Sequence, residues 1–357
     1  MYETLFNITA SNSSYSVINC DSVHDVTSWI GSIGKRKFIV VDQKIVELYS
    51  QVIQDSSSFY FEIEASEENK TLEFSERIIK RLIESGFRKN DTLIAIGGGM
   101  IQDLVGFIAS VIYRGVDWAF VPTPLVSQSD SCIGGKTSIN LGGFKNLVGT
   151  FHPPTDVIIC SDFLKSLCED DMKSGVGEML HYFILFNDER SINEVESNHQ
   201  RIVGHQFNLA RLTARSLFLK KPVIERDEKE TGDRKLFNYG HTFGHAVEAF
   251  SNFQIPHGIA VSIGMDMSNF VAWKLGRVDE VFYLRYHDLL KKNSKTFNIN
   301  NTDLFVNMMK KDKKNTTTGV SCVLPGSKFE LISLNSEELS FLLKEYEILS
   351  SKSLLQT

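Results

Sequence analysis

The sequence predicts an α/β protein: a parallel-sheet N-terminal domain followed by a mainly α-helical C-terminal domain. Three observations carry that prediction. In the first 160 residues, short and continuously apolar runs alternate with amphipathic stretches, and strands that are apolar throughout belong to parallel sheets covered on both faces. From Leu164 to about Leu290, long helical patterns dominate and strand signals nearly vanish. A chain of 357 residues is also long for one core, so a division into residues 1–160 and 161–357 is expected.

The elements follow in order. The run from Phe38 to Asp42 reads as a strand that ends in an acid. Between Phe74 and Phe87, Ile78, Ile79, Leu82 and Ile83 recur at helical spacing, and Gly86 suits the helix end. The run from Thr92 to Gly97 is a second strand, followed by the glycines Gly97 to Gly99 and an amphipathic stretch from Gln102. Ala119 to Pro122 and Val157 to Cys160 complete the strand signals of this half, and residues 114–146 between them read as loop-rich. Late in the chain, Val320 to Pro325 and Phe329 to Leu334 suggest a strand pair across Gly326, and Glu337 to Leu349 a closing helix.

Composition narrows the function classes. Hydrophobic residues make up 42% and charged residues 23%, as in an ordinary globular protein. The net charge of -6 argues against a nucleic-acid partner, which would call for a basic face. Five scattered cysteines without a Cys-x-x-Cys pair suit reduced thiols better than a disulfide framework. No run is long and apolar enough to span a membrane, and the N-terminus lacks a signal-peptide pattern. A cytoplasmic protein without a membrane partner is expected.

Three groups of residues point to chemistry. His241 and His245 lie four apart with Glu248 three further on, which places all three on one helical face. His257 follows, and two or three imidazoles with a carboxylate can form an open catalytic metal site. Glu178 is the best carboxylate candidate, although spacing alone makes it one acid among 44. The strand-to-helix turn at Gly97–Gly99 lets a backbone approach a phosphate. A tight structural turn is the other reading, because the Gly-x-Gly-x-x-Gly fingerprint is absent. Between Arg114 and Asn146, Asp130, Lys136, Asn140 and Lys145 stand among glycines. Cations and amides so placed suit an anionic, polyhydroxylated ligand.

These residues stand in runs that resemble the sugar-phosphate cyclases, and among them the 3-dehydroquinate synthase family most closely. The resemblance spans roughly residues 35–335. Its anchors are Ser66–Thr71, Gly97–Asp103, Arg114–Thr123, Gln128–Thr137, Lys145–Gly149, Asp227–Gly232, Asn238–His245 and His257-Gly258. The resemblance implies a Rossmann-like NAD-binding domain, a helical metal-binding domain and an active site in the cleft between them. It implies Glu178, His241 and His257 as ligands of zinc or cobalt, with His245 as a nearby acid–base residue. NAD would meet Asp42, Glu67, Lys70, Gly98, Gly99, Asp103, Thr123 and Lys145. The substrate would meet Asp130, Lys136, Asn146, His181, Lys220, Arg234 and Asn238, with Lys313 or Lys314 at its phosphate. Arg114 resembles an arginine inserted into a neighbouring subunit, which implies a homodimer.

The implied activity is conversion of 3-deoxy-D-arabino-heptulosonate 7-phosphate to 3-dehydroquinate in the shikimate pathway. An alcohol is oxidised by NAD, phosphate is eliminated, hydride returns, and an aldol step closes the ring, with no net redox change. Five positions depart from the family pattern. His181 stands for a lysine, Gln102 for a glycine, Pro124 for a threonine, Phe144 for a glycine and Ile259 for an acid. They leave open a related cyclase acting on sedoheptulose 7-phosphate, an aminated heptulosonate or glucose 6-phosphate. Arg234 and Asn238 favour a carboxylated substrate. A metal-dependent polyol dehydrogenase is a more distant alternative, because it has no use for the phosphate-binding lysines.

Overall fold

Each of the four apolar runs expected as strands in the N-terminal half is a strand of one seven-stranded sheet. The structure is a computed structural model that describes residues 1–11, 13–54, 59–142, 144–310 and 319–353. Its strands are β1 (Tyr2–Thr9), β2 (Ser14–Cys20), β3 (Lys37–Asp42), β4 (Phe59–Ile63), β5 (Thr92–Gly97) and β6 (Trp118–Pro122). They continue with β7 (Lys136–Leu141), β8 (Phe144–Phe151), β9 (Asp156–Cys160), β10 (Val320–Leu324) and β11 (Glu330–Leu334). The large sheet runs β1-β2-β9-β6-β5-β3-β4, with β1 antiparallel to β2 and every other pairing parallel.

All six residues of β5 and all five of β6 are buried, so neither strand alternates. That is the pattern of a sheet covered on both faces. From β3 the chain pairs β4 on one side and then places β5 on the other, so the order reverses between β3 and β5. Such a reversal opens a crevice at the carboxyl ends of the strands, where ligands of open α/β sheets bind. The Leu72–Glu84 helix begins where Thr71 accepts the Phe74 N–H, and it ends before Gly86 at φ +84°.

Two compact units divide the described residues. Met1–Leu167 with Asn208–Lys229 form the first, and Cys168–Phe207 with Glu230–Thr357 the second. A single cut after residue 160 does not reproduce this, because residues 208–229 return to the first unit. There the Ala210–Arg226 helix supplies Glu225, which accepts the Thr9 N–H, and the chain just beyond supplies Glu228, which accepts from Ser11. The loop-rich reading of residues 114–146 also needs correction. Lys136–Leu141 and Phe144–Phe151 form a two-stranded antiparallel sheet, so a stretch rich in Gly, Lys and Asn pairs its backbone after all.

The second unit is built on the His257–Lys274 helix, buried from Gly258 to Ala272 and apolar around most of its circumference. Around it lie the helices Glu169–Leu185, Glu189–Val203, His241–Phe250, Glu280–Lys292, Thr302–Lys310 and Ser336–Ser353. The strand pair β10–β11 forms as expected, in register from Val320↔Leu334 to Leu324↔Glu330. Among the described residues no helix is long and apolar enough to cross a membrane.

Candidate active site

Glycines bring the histidines and the glutamate together in the second unit. A Cβ on Gly177 would lie 2.0 Å from the Gly258 carbonyl oxygen, and one on Gly258 would lie 1.8 Å from the Ser174 carbonyl. The Ser174 hydroxyl accepts the Gly258 N–H at 2.9 Å. The Glu169–Leu185 and His257–Lys274 helices therefore touch backbone to backbone, and the next residue on one and the preceding residue on the other are Glu178 and His257. A second contact of this kind holds the His241–Phe250 helix. A Cβ on Gly264 would lie 2.0 Å from the Gly240 oxygen and 2.6 Å from the Gly244 nitrogen. Gly240 itself caps that helix at φ +75°, a conformation that favours glycine.

The result is a compact donor set. Glu178 is 1% exposed, and its Oε1 lies 3.1 Å from His257 Nε2 and 3.7 Å from His241 Nε2. One ligand atom from each of the three residues falls within 4.8 Å of the others. The outer ring nitrogens are fixed from behind. His241 Nδ1 meets the Tyr239 carbonyl at 3.1 Å, and His257 Nδ1 meets Glu248 Oε2 at 3.1 Å. A carbonyl and a carboxylate can only accept, so both Nδ1 atoms carry a proton and both Nε2 atoms face Glu178. Two oriented imidazoles and a buried carboxylate, each imidazole backed by an acceptor, fit a zinc-type ion with open positions.

Burial and the neighbouring histidines His181, His257 and His245 hold the His241 pKa well below its ordinary value. Burial would lower His257 too, but the Glu178 and Glu248 carboxylates outweigh it and raise that group well above. The same negative charge that raises His257 would favour a bound cation at its Nε2.

His245 lies one turn along the same helix, exposed, with its ring 5.8 Å from those of both His241 and His257. Together with Glu248 and His257 it makes a second possible grouping. His181, expected at the substrate, is 1% exposed. Its ring lies 4.7 Å from Tyr182, 5.0 Å from His241, 6.0 Å from Tyr239 and 6.3 Å from Phe237. It is packed in an aromatic cluster beside His241. Arg234 is buried on the Asp233–Asn238 turn, where the Asn238 amide donates to the Lys235 carbonyl at 2.8 Å.

In the first unit the expected cofactor residues gather at the strand reversal. Asp42 caps the next helix by accepting the Lys44 N–H at 3.1 Å, and burial raises its pKa. A Cβ on Gly97 would lie 3.3 Å from the Asp42 Cβ, which puts the ends of β3 and β5 side by side. Gly98 caps the Gly99–Val111 helix, and Thr123 donates its N–H to the Gly97 carbonyl at 2.9 Å. Nothing lies within 4 Å of where a Gly99 Cβ would sit, so the helix N-terminus is open on that side.

A polar network around the buried Lys70 lies beside this turn. The Lys70 ammonium, 3% exposed, meets Asp103 Oδ2 and Asn146 Oδ1, each at 2.5 Å. The Ser138 hydroxyl lies within donating distance of either oxygen, at 3.1 and 2.9 Å. Asn140 donates to Glu67 at 2.8 Å and accepts the Asn146 N–H at 2.9 Å. Lys136, Ser138 and Asn140 alternate along β7, so they share a face. Ser138 was missed in the sequence because its signal, alternation along a strand, is visible only once the segment is read as a strand. Lys136 and Lys145 are exposed on the hairpin. Lys220 donates to the Asp130 carbonyl at 2.7 Å and carboxylate at 2.8 Å. Arg114 is exposed in the left-handed region at φ 64°. Lys313 and Lys314 lie outside the described residues.

Two of the family departures lie at the glycine turn: Gln102 donates its N–H to the Gly98 carbonyl and bonds to Ser131, and the Pro124 ring lies against Gly98. Two others belong to packing or surface. Ile259 is fully buried in the core of the second unit, and Phe144 is 62% exposed on β8.

Comparisons with known proteins bear on the fold and the family. Residues 60–174 match the family model of the 3-dehydroquinate synthase N-terminal domain, and residues 175–315 match that of its C-terminal domain. The 3-dehydroquinate synthase of Clostridium tetani is 39% identical over 78% of this chain and 76% of its own length. Among solved structures, a 2-deoxy-scyllo-inosose synthase complexed with carbaglucose-6-phosphate, NAD+ and Co2+ superposes with a TM-score of 0.83 at 22% identity, covering 95% of this chain and 99% of that one. The 2-epi-5-epi-valiolone synthase of Streptomyces hygroscopicus subsp. jinggangensis, with NAD+ and Zn2+ bound, gives 0.82 at 23% identity, over 94% and 98% of the two chains. The parallel-sheet and helical units are therefore those of a known fold, and on the two family models and the Clostridium relative together the chain belongs to the 3-dehydroquinate synthase family.

Proposed function

We propose that this protein is an NAD- and metal-dependent sugar-phosphate cyclase, a phosphate-eliminating carbon–oxygen lyase. Its proposed reaction converts 3-deoxy-D-arabino-heptulosonate 7-phosphate to 3-dehydroquinate. The observation that carries this reading is the Glu178, His241 and His257 set, with its outer nitrogens held by Tyr239 and Glu248. Glu178, His241 and His257 would hold zinc or cobalt, and Asp42, Gly98, Gly99 and Thr123 would hold NAD. When bound, the metal supplies Lewis acidity toward a substrate hydroxyl and NAD supplies a hydride acceptor.

The chain's own residues would do the rest. His245, exposed beside the ligands, would move a proton. Lys136 and Lys220 would stabilise the charge of departing phosphate. Arg234 and Asn238 would orient the substrate carboxylate, with Asp130 and Asn146 at its hydroxyls. With this reading goes a cytoplasmic homodimer in which Arg114 reaches a partner copy.

The test is incubation with NAD, a divalent metal and a panel of seven- and six-carbon sugar phosphates. Release of inorganic phosphate from the heptulosonate, with no net NADH, supports the reading. Stoichiometric NADH would identify a dehydrogenase instead. One observation favours a second reading, a cyclase with another sugar phosphate: position 181 holds an imidazole packed among aromatic rings in place of a lysine. Activity confined to a sugar phosphate without the carboxylate would establish it. His181→Lys should alter turnover at least about tenfold, because the two side chains differ in charge and in how they pack. Unchanged turnover would remove position 181 from the site.

A further inference from the structure

Gln102 clasps the nucleotide turn to the segment that carries Asp130. It is 5% exposed. Its Nε2 donates to the Ser131 carbonyl at 2.7 Å, and its Oε1 accepts from the Ser131 hydroxyl at 2.9 Å. Its own N–H donates to the Gly98 carbonyl at 3.0 Å. The residue that closes the first helical turn on the glycine run is therefore the one that grips Ser131.

Ser131 ends a single π-turn, Ser127–Ser131. Leu125 and Val126 lead into it as a short stretch of helix, and its attachments hold it in place. Four of them are specific. Gln128 donates to the Thr123 and Cys160 carbonyls at 3.2 and 2.9 Å. The Ser129 carbonyl accepts the Ser216 hydroxyl at 2.9 Å, and Asp130 accepts twice from Lys220. The fourth is Gln102. At the segment's other end the Pro124 ring lies 3.3 Å from where a Gly98 Cβ would be. Both ends of the segment thus rest on the glycine turn, and its middle holds Lys220.

We propose that Gln102 is a positioning residue that couples the glycine turn to the Asp130–Lys220 pair, so that a dinucleotide bound at the turn orders that pair. The inference rests on the NAD-binding reading above. A phosphate held at a helix N-terminus orders the first turn. Two hydrogen bonds from one amide to one serine then transmit the order, because they fix both distance and orientation. Coupling of this kind is a free energy shared by two sites.

Hydrogen exchange with and without NAD tests it, alongside an NAD titration by calorimetry. In the wild-type protein, NAD should slow exchange in residues 97–102 and also in 127–132 and 216–221, by about tenfold or more. Gln102→Met keeps the volume and removes both bonds. It should bind NAD within about threefold of wild type and protect 97–102, yet lose the transmitted protection. Ser131→Ala keeps the carbonyl arm and should retain part of it. It carries the test if Gln102→Met does not fold, and full retention there overturns the proposal. Equal transmission in Gln102→Met, or wild-type binding without protection of 127–132 and 216–221, overturns the proposal alone. A wild-type protein that binds no NAD overturns both the proposal and the NAD-binding reading.

Discussion

Two carboxylates act differently on His257. Glu178 faces its Nε2 from a fully buried position, while Glu248 faces its Nδ1 and fixes the tautomer. Replacing Glu248 with Gln keeps the size and removes the charge that orients the ring. Zinc affinity, measured by chelator competition, should fall about 10- to 100-fold, whereas Glu178→Gln should abolish stoichiometric binding. Asp91 offers a test away from the site. Its carboxylate accepts from Arg36 at 3.1 and 2.7 Å and from the Arg88 N–H at 2.6 Å. Burial would raise its pKa, but Arg36 and the Arg88 N–H outweigh burial and lower it below the ordinary 3.8. A lowered pKa gives stability that is present above the ordinary value and lost as pH falls through the folded one. Asp91→Asn should cost about 1–2 kcal/mol at neutral pH, discounted because Arg36 is half exposed. Urea denaturation should show that gap closing below about pH 3.8. At this scale the sequence was partly readable. His241 and His245 stand out by spacing, whereas Glu178 is singled out by the family resemblance and not by spacing, because helix contacts distant in sequence select it. Ser131, the partner of Gln102, lies within an anchor of the resemblance, but nothing in the sequence pairs the two.

The helices around the site meet through glycine. Gly177, Gly258 and Gly264 each face a backbone atom at a distance no Cβ can occupy, so these contacts set how closely Glu178 and the histidines approach. Gly177→Ala should force the Glu169–Leu185 helix away from the His257–Lys274 helix, at a cost of about 1–3 kcal/mol. Metal content should fall with it, even though no ligand is changed. Tm and bound zinc per chain measure the two effects. The same residues show why the elements were unevenly legible. Strands β3, β5, β6 and β9 announced themselves because burial on both faces makes them apolar throughout. Strands β7 and β8 carry polar, exposed side chains such as Lys136, Lys145 and Asn146, so composition resembled a loop. Strand β1 exposes most of its residues, and its pairing with β2 was equally hidden. A helix–helix contact through glycine leaves no periodic mark, so the close packing was invisible too.

On the scale of the whole molecule, the first unit is discontinuous. Its final segment, residues 208–229, supplies Lys220 to Asp130 and Ser216 to Ser129. A fragment ending at Leu167 would leave those partners unmet, together with the backbone of Thr9 and Ser11 at the tip of the first hairpin. Such a fragment should show poor amide dispersion in a nitrogen–proton correlation spectrum, and a peptide covering 208–229 added in trans should sharpen it. A fragment 1–167 that is fully folded alone would contradict this. The discontinuity also has a consequence during synthesis. The first unit cannot close when its sheet is made, because residues 168–207 must leave the ribosome before residues 208–229 arrive. At about 5–20 residues per second the delay is roughly 3–12 s. For that time the seven-stranded sheet stands without the Ser216 and Lys220 contacts of the Asp130 segment, so the nascent first unit stays incomplete until residue 229 has emerged.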